Sequence, residues 1–464
     1  MNLKKDEIAF AKTVQAFKEA GTIIFNSDVS NEEAMILQSL KQRFNYKLLN
    51  KEAKKFQNFL NDFSSVSSKH LYGGNEQALE SFDFALCLGL SVSADSPKVL
   101  HALSKAKNER DAYINYMHPL EDESLQNILS QYTKYEVGSE EGIVAMLADV
   151  IVKEEAKKKY DNFFSDLDEG YICGESSVGE EEFEDIADEF KRSKKPILIV
   201  GPDLYNHPRS SNIAKVLGMI SKYSEFEVFM VGSELNTLGV ALICDLDEEA
   251  EGKIVGFRVK ADYTLSCNED GDLLMPSIKQ EEGSVTLVDK KVAVLETDSS
   301  YKGYRLNDIA KALGLNESVN DYTAKLPAKS GYKVVTLDAL KSNTYELETL
   351  DVKSENDALE LIDDISEFNG TVVYRCNHSQ FNPDNSTSEK NDDLVLLGSK
   401  QFATAAKMKT GTMVRFEMDG KTYQRRLKVS DDLKGTIAYN PVFDSTDNYD
   451  EYRYKRVNLE EVNE

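Results

Sequence analysis

The chain has 464 residues, 41% of them hydrophobic, with 55 Lys and Arg against 81 Asp and Glu, a formal net charge of −26. That size and apolar content allow sizeable cores in roughly two to four domains, while the excess of acid excludes counterion-releasing contact with nucleic acid or anionic lipid over most of the surface. No stretch reaches the roughly 18 apolar residues of a membrane-spanning helix, because the longest candidate, 142–152, is broken by Asp149.

The charged start, Met1 to Glu7, leads into an amphipathic pattern and is not expected to be a secretory signal. Ile8, Phe10, Ala11, Val14 and Phe17 recur at helical spacing, and Thr22 to Phe25 reads as a short buried strand. Ser30 is a plausible helix cap, with Glu32 and Glu33 where carboxylates favour the positive end of the helix dipole. The alternation continues with a strand at Phe84 to Leu88, a turn at Gly89, a helix from about Pro97 to Lys107 and a strand at Ala112 to Met117. Residues 140–192 are helical and highly charged, with Phe183, Ile186, Ala187 and Phe190 on one apolar face and Glu180 to Glu182 as a solvated run. A second series opens at Pro196 to Val200, turns at Gly201-Pro202, and gives a helix over about Ser211 to Tyr223 and strands at Phe226 to Val231 and Ala261 to Leu265. Past a polar loop at Asn377 to Asp393, the strand at Leu394 to Leu397, the segment Ala403 to Met408 and the strands flanking Asp419-Gly420 predict a small antiparallel β-rich module. Residues from about Ser445 are expected to form an extended arm or loosely held tail.

Short apolar runs alternating with amphipathic segments predict an α/β fold with parallel sheets covered by helices. The expected organisation is a first α/β domain over 1–150, a charged helical connection over 151–194, a second α/β region over 195–390, and a β-rich module and tail over 391–464.

Most of the usual chemical motifs fail a physical test. Gly174-Glu175-Ser176-Ser177-Val178 lacks the small residue and preceding strand of a nucleophile elbow. Asp245, Asp247 and Glu249 have the spacing of half a calcium loop, but Ala250 replaces the turn glycine and Gly256 the bidentate Glu. No glycine-rich phosphate loop follows any strand. His70, His101, His118, His207 and His378 show no ligand spacing and are expected at the surface or in turns. Cys87, Cys173, Cys244, Cys267 and Cys376 lie far apart, as in a reducing compartment, and are expected to be buried thiols.

One stretch carries more. Met275-Pro276-Ser277-Ile278 through Glu281-Glu282-Gly283-Ser284-Val285 and on to Leu306-Asn307-Asp308-Ile309 and Leu313-Gly314 resembles a segment of the molybdopterin oxidoreductase superfamily. That segment recurs in the large peripheral iron-sulfur subunit of NADH-quinone oxidoreductase, respiratory complex I. Ser30-Asn31-Glu32-Glu33-Ala34, Asn236-Thr237-Leu238-Gly239 and the run Leu86 to Pro97 are similar to further family segments, in family order. The family's Asn-Pro pair after the strand-end Gly is Ser91-Val92 here. The β-rich module resembles the superfamily's dinucleotide-binding barrel, with Thr412 in place of its usual acid.

The resemblance implies a molybdopterin-oxidoreductase-like scaffold with two Rossmann-like series and a barrel-like module. The family's metal ligand would fall near Asn61 to His70, where Ser64, Ser65, Ser67 and Ser68 stand but no Cys. No catalytic, cofactor-binding or metal residue is therefore assigned, and no cofactor is expected on this chain. The close-set Cys ligands of the family's iron-sulfur clusters are missing, so those clusters are expected in the family's N-terminal region or in partner subunits. The implied role is a non-catalytic part of the complex I peripheral arm, bound to its other subunits and to a cluster-bearing module at the cytoplasmic side of the inner membrane. Neither nucleic acid binding nor direct membrane insertion is expected. The alternatives are an active molybdopterin-dependent oxidoreductase subunit using one of Ser64 to Ser68, and a cofactor-free assembly or interaction protein.

Overall fold

The computed structural model describes residues 5–268, 271–295, 301–354, 356–366, 368–376, 395–431, 433–441 and 451–462. They form two compact units, the first built from 1–61, 69–71 and 232–352, the second from 62–68, 72–231 and 353–464.

In the first unit, Ala20–Phe25 is flanked by Lys47–Leu49 and Lys253–Phe257, and the five-stranded parallel sheet is completed by Tyr263–Ser266 and Leu273–Leu274. Ile23, Phe25, Leu48, Val255 and Phe257, which share one face, are buried, and so are Thr22 and Leu49 on the opposite face, as strands covered on both sides require. Helix Glu7–Glu19 is capped by the Asp6 carboxylate, and helix Asn31–Phe44 begins with a reciprocal Ser30/Glu33 capping box. A three-stranded antiparallel sheet follows, of Ser284–Thr286, Lys291–Val294 and Tyr345–Glu346.

The second unit contains a five-stranded parallel sheet with Phe84–Leu88 and Pro196–Val200 adjacent at its centre. Tyr113–Met117 and Gln131–Thr133 extend it on one side, and Glu227–Met230 on the other. Helices cover it, among them Pro97–Arg110, Glu140–Ile151, Glu180–Arg192 and Ser210–Tyr223. Phe183, Ile186 and Ala187 are buried while Glu180 and Glu181 are exposed, as the amphipathic spacing predicts. A seven-stranded curled sheet completes this unit, in the order Tyr454–Arg456, Val372–Arg375, Ile437–Asn440, Val395–Ser399, Lys421–Ser430, Met413–Met418, Glu460–Glu461. Val372 and Tyr374 join one apolar cluster and Val373 the other, so both faces of this sheet are buried.

The α/β expectation holds, and three details differ. The compact units are not consecutive segments: strand Ala20–Phe25 pairs with Lys253–Phe257, so each of the spans 1–150 and 195–390 contributes to both units. Composition cannot mark these crossings, because the chain alternates strand and helix on either side of each. The β-rich module is mixed, since Val395–Ser399 runs parallel to Lys421–Ser430, and Val372–Arg375 runs parallel to Ile437–Asn440. The hairpin at Asp419-Gly420, with positive φ at both residues, has the expected antiparallel turn. The tail is also held: Tyr454–Arg456 and Glu460–Glu461 pair at the two edges of the sheet, and Arg453 is 1% exposed. The expected polar loop over 377–393 lies outside the described residues.

Candidate functional site

In an open parallel α/β sheet, ligands bind beyond the carboxyl ends of the strands, where the strand order reverses. The first unit has that reversal between Ala20–Phe25 and Lys253–Phe257, the second between Phe84–Leu88 and Pro196–Val200. Each crevice contains an arginine bound to carboxylate, one group in the first and two in the second.

In the first unit Arg258, just past its strand, donates from both terminal nitrogens to Glu33 at 2.9 and 3.1 Å, and to the carbonyls of Asp28 and Pro276. The Arg258 and Glu33 side chains are only 4% and 3% exposed. Glu33 is also the capping-box residue, accepting from the Ser30 amide at 2.9 Å. The helix start that could have met a phosphate is thus closed by its own carboxylate.

Behind this pair the family-like segments meet. Glu32 accepts from the Ser284 amide at 2.7 Å, the Ser284 hydroxyl at 2.8 Å and the Thr323 hydroxyl at 2.9 Å. Asn31 Nδ2 donates to the Ser284 hydroxyl, and Asn236 accepts from the Thr286 amide at 2.8 Å while donating to Val29 O and Asn31 Oδ1. Burial raises the Glu32 carboxyl above its usual range against these donors. A Cβ at Gly239 would strike the Asn236 and Asn31 side-chain oxygens, and one at Gly283 would lie 2.6 Å from Glu32 Oε2. The Asn-Glu-Glu, Asn-x-x-Gly and Glu-Gly-Ser segments are therefore one buried hydrogen-bond network that joins a helix start, a second helix and a strand. Gly239→Ala is expected to destabilise the chain by about 2 kcal/mol through overpacking, measured as a shift of the urea midpoint, while Gly174→Ala, with open space around its Cβ position, is expected to shift it little.

A second acidic cluster lies at the strand ends of this unit. Glu52 is buried and accepts from Thr237 Oγ1 at 3.1 Å, Ser233 N at 3.3 Å and Ser27 Oγ at 3.3 Å; the Ser27 amide donates to Glu234. Burial pushes the Glu52 carboxyl up to about 7. Burial, and then the nearby Glu52 charge, raise Glu234 well above the usual carboxylate range.

In the second unit the crevice is filled by Arg453, which immediately precedes strand Tyr454–Arg456. Arg453 Nε donates to Asp203 Oδ1 at 2.6 Å, and its two terminal nitrogens donate to the two Asp95 oxygens at 2.8 Å each. Its guanidinium lies over the Tyr374 ring, 5.1 Å from the centroid. His118 Nε2 is 3.1 Å from Asp203 Oδ2 and 3.0 Å from the Tyr454 hydroxyl. Burial alone would raise Asp203, but Arg453 and His118 bring it below its ordinary value. Nearby, Tyr452 donates to Glu140 at 2.7 Å; burial lifts Glu140 to about 8 and lowers His207 to about 4. The two strand-end loops close on each other as well. The Asp203 amide donates to the Gly89 carbonyl, and a Cβ at Gly89 would sit 2.7 Å from Leu204.

Among the residues singled out in the sequence, Ser64, Ser65 and Ser67 lie in helix Lys51–Ser67, and Ser68 just beyond it accepts from Lys222 Nζ at 2.7 Å. Ser176 ends helix Glu169–Ser176, with Ser177 left-handed as its cap, so no nucleophile elbow forms. Asp247 pairs with Lys41 and Lys47, and Gly256 lies inside strand Lys253–Phe257. Two histidines depart from expectation: His118 and His207 are buried, because each replaces lost hydration with hydrogen bonds. Cys87, Cys244 and Cys376 are buried, whereas Cys173 and Cys267 are only partly so. No described group of three or more His, Cys, Asp or Glu is placed to hold a metal, and no described helix is long and apolar enough to cross a membrane. Sequence reasoning missed Arg258, Arg453, Asp95 and Asp203, and the spacing Tyr452-Arg453-Tyr454 was the one signal of an inserted strand.

No family model and no curated protein sequence matches this chain. Solved structures do. It is similar to acetylene hydratase from Pelobacter acetylenicus, at 8% identity and a TM-score of 0.64, over 93% of this chain and 81% of that one. The fold is molybdopterin-oxidoreductase-like. The formyltransferase/hydrolase complex from Methylorubrum extorquens is also similar, at 10% identity and a TM-score of 0.43, over 67% of this chain and 97% of that one. Each of the two switch-point crevices presents an arginine neutralised by carboxylate, Glu33 in the first and Asp95 with Asp203 in the second.

Proposed function

We propose that the chain is a non-catalytic, molybdopterin-oxidoreductase-like subunit of the peripheral arm of an NADH-quinone oxidoreductase. On this reading it binds the arm's other subunits and a module housing iron-sulfur clusters, at the cytoplasmic side of the inner membrane, and electrons pass through that module. The observation that supports a scaffold over an enzyme is the second crevice. A pterin dinucleotide would bring an anionic pyrophosphate to Asp95 and Asp203, at a place where both carboxylates are already paired with Arg453 and the strand-end loops pack on each other. The residues there do not fit that group. The complex I assignment rests on the order of the Asn31-Glu32-Glu33, Asn236 to Gly239 and Glu281 to Ser284 segments along the chain.

The test is isolation of the chain from its native source under mild conditions, with metal analysis, an absorption spectrum and identification of what co-purifies. Co-purification with iron-sulfur respiratory subunits, without molybdenum or tungsten in the chain itself, is the expected result. Stoichiometric molybdenum or tungsten with an absorbing pterin would overturn the scaffold reading, and a metal-free chain accompanied by no respiratory subunit would overturn the complex I assignment alone. Replacing Ser64, Ser65, Ser67 and Ser68 together by Ala is expected to leave the electron-transfer rate of the purified assembly unchanged; a loss of turnover with normal assembly would revive the molybdenum enzyme.

A further inference from the structure

Switch-point crevices usually receive anions on free backbone amides, whereas the second unit's crevice presents oxygens and an aromatic face. Asp95 offers both carboxylate oxygens to one side of a guanidinium, and Asp203 offers one to its Nε edge. Tyr374 lies beneath the cation. These walls are held by groups other than the arginine: the Ser91 amide donates to Asp95 Oδ2 at 2.8 Å, the Tyr374 hydroxyl lies 3.3 Å from Asp203 Oδ2, and His118 is 3.1 Å from that same oxygen. Exposure is 1% for the Arg453 side chain, 0% for Asp203 and 8% for Asp95.

We infer that this crevice is a guanidinium-binding site, filled in cis by Arg453 just ahead of strand Tyr454–Arg456, and that it accepts a small guanidinium compound when that side chain is removed. Three donors in one plane, two to Asp95 and one to Asp203, match the rigid fork of a guanidinium; an ammonium of the same charge cannot address both carboxylates in plane. Stacking on Tyr374 adds a preference for a flat, weakly hydrated cation.

The test uses the full chain carrying Arg453→Ala, melted in about 10 mM ethylguanidinium or ethylammonium chloride at matched ionic strength. Ethylguanidinium is expected to raise the variant's midpoint by about 3 to 5 °C more than ethylammonium. Wild type should show no such difference, and adding Asp95→Asn to the variant should abolish it. Equal effects of the two cations, or no effect of either, would overturn the site. Should Arg453→Ala not fold, Arg453→Lys decides: the planar geometry requires its midpoint to fall clearly below wild type, and a midpoint equal to wild type would show that the crevice reads charge alone.

Discussion

A chain ended after Asp450 is expected to lose the folded state of its second unit. The missing residues supply an edge strand, Tyr454–Arg456, paired along Val372–Arg375, and the side chains of Tyr452, Arg453 and Tyr454, all buried. Removing Arg453 alone leaves Asp95 and Asp203 without their cation, and breaking a buried pair in this way costs about 3 to 5 kcal/mol. Loss of Tyr452 strands the buried Glu140 carboxyl and the Gly138 amide, each unsatisfied group adding about 1 to 3 kcal/mol. The apolar faces of the two tyrosines contribute about 2 kcal/mol apiece on top. Together these approach the whole stability of an ordinary domain, about 5 to 15 kcal/mol. Hydrogen exchange provides the measurement, because the amides of the buried central strands Phe84–Leu88 and Pro196–Val200 are expected to exchange last. If those amides stay as protected in the shortened chain as in the full one, the tail is dispensable and the crevice is held by something else.

That outcome bears on how much of the molecule the sequence exposes. The strand at Phe84–Leu88, the Ser30/Glu33 cap and the Asp419-Gly420 hairpin follow from local rules, since apolar runs, cap residues and turn residues act over a few positions. Strand Lys253–Phe257 escapes those rules: Lys253 and Gly256 interrupt its apolar run, and it becomes a central strand only because Ala20–Phe25 lies beside it. The candidate site was legible in part. Asn31, Glu32, Asn236, Gly239, Gly283 and Ser284 stand out as motifs, yet only their meeting in space shows that they serve one another as hydrogen-bond partners. Arg453 lies 250 positions from Asp203, and neither periodicity nor spacing conveys a contact over such a separation. The polar tail composition argued for solvent exposure, and it misled because the Arg453 charge is neutralised inside the unit by Asp95 and Asp203, far away in the chain.

Buried acids make the last prediction a matter of pH. Burial lifts Glu52 to about 7 and Glu140 to about 8, and burial followed by the neighbouring Glu33 charge lifts Glu281 to about 8. In each case the folded chain retains a proton that the unfolded chain releases near pH 4.5. The stabilisation from these protons is complete below that value and is lost as pH rises through 7 to 8. His207, lowered to about 4 by burial, acts oppositely, but only between about pH 4 and 6.5, and Asp203, lowered beside Arg453, loses its contribution only in stronger acid. From pH 6.5 to 8.5 these three glutamates therefore act in one direction, and Glu234, raised well above the usual carboxylate range by burial and then the Glu52 charge, acts in the same sense. The unfolding free energy is expected to fall by roughly 1 to 2 kcal/mol per group over that window, about 3 to 5 kcal/mol together, seen as a lower urea midpoint at constant ionic strength. Glu140→Gln, which keeps the shape of the protonated acid beside Tyr452 and cannot ionise, is expected to flatten the slope by its own share. A free energy that is level or rising across this window would mean that these carboxylates are ionised in the folded chain, and that their surroundings are wetter than the burial of Glu52, Glu140 and Glu281 implies.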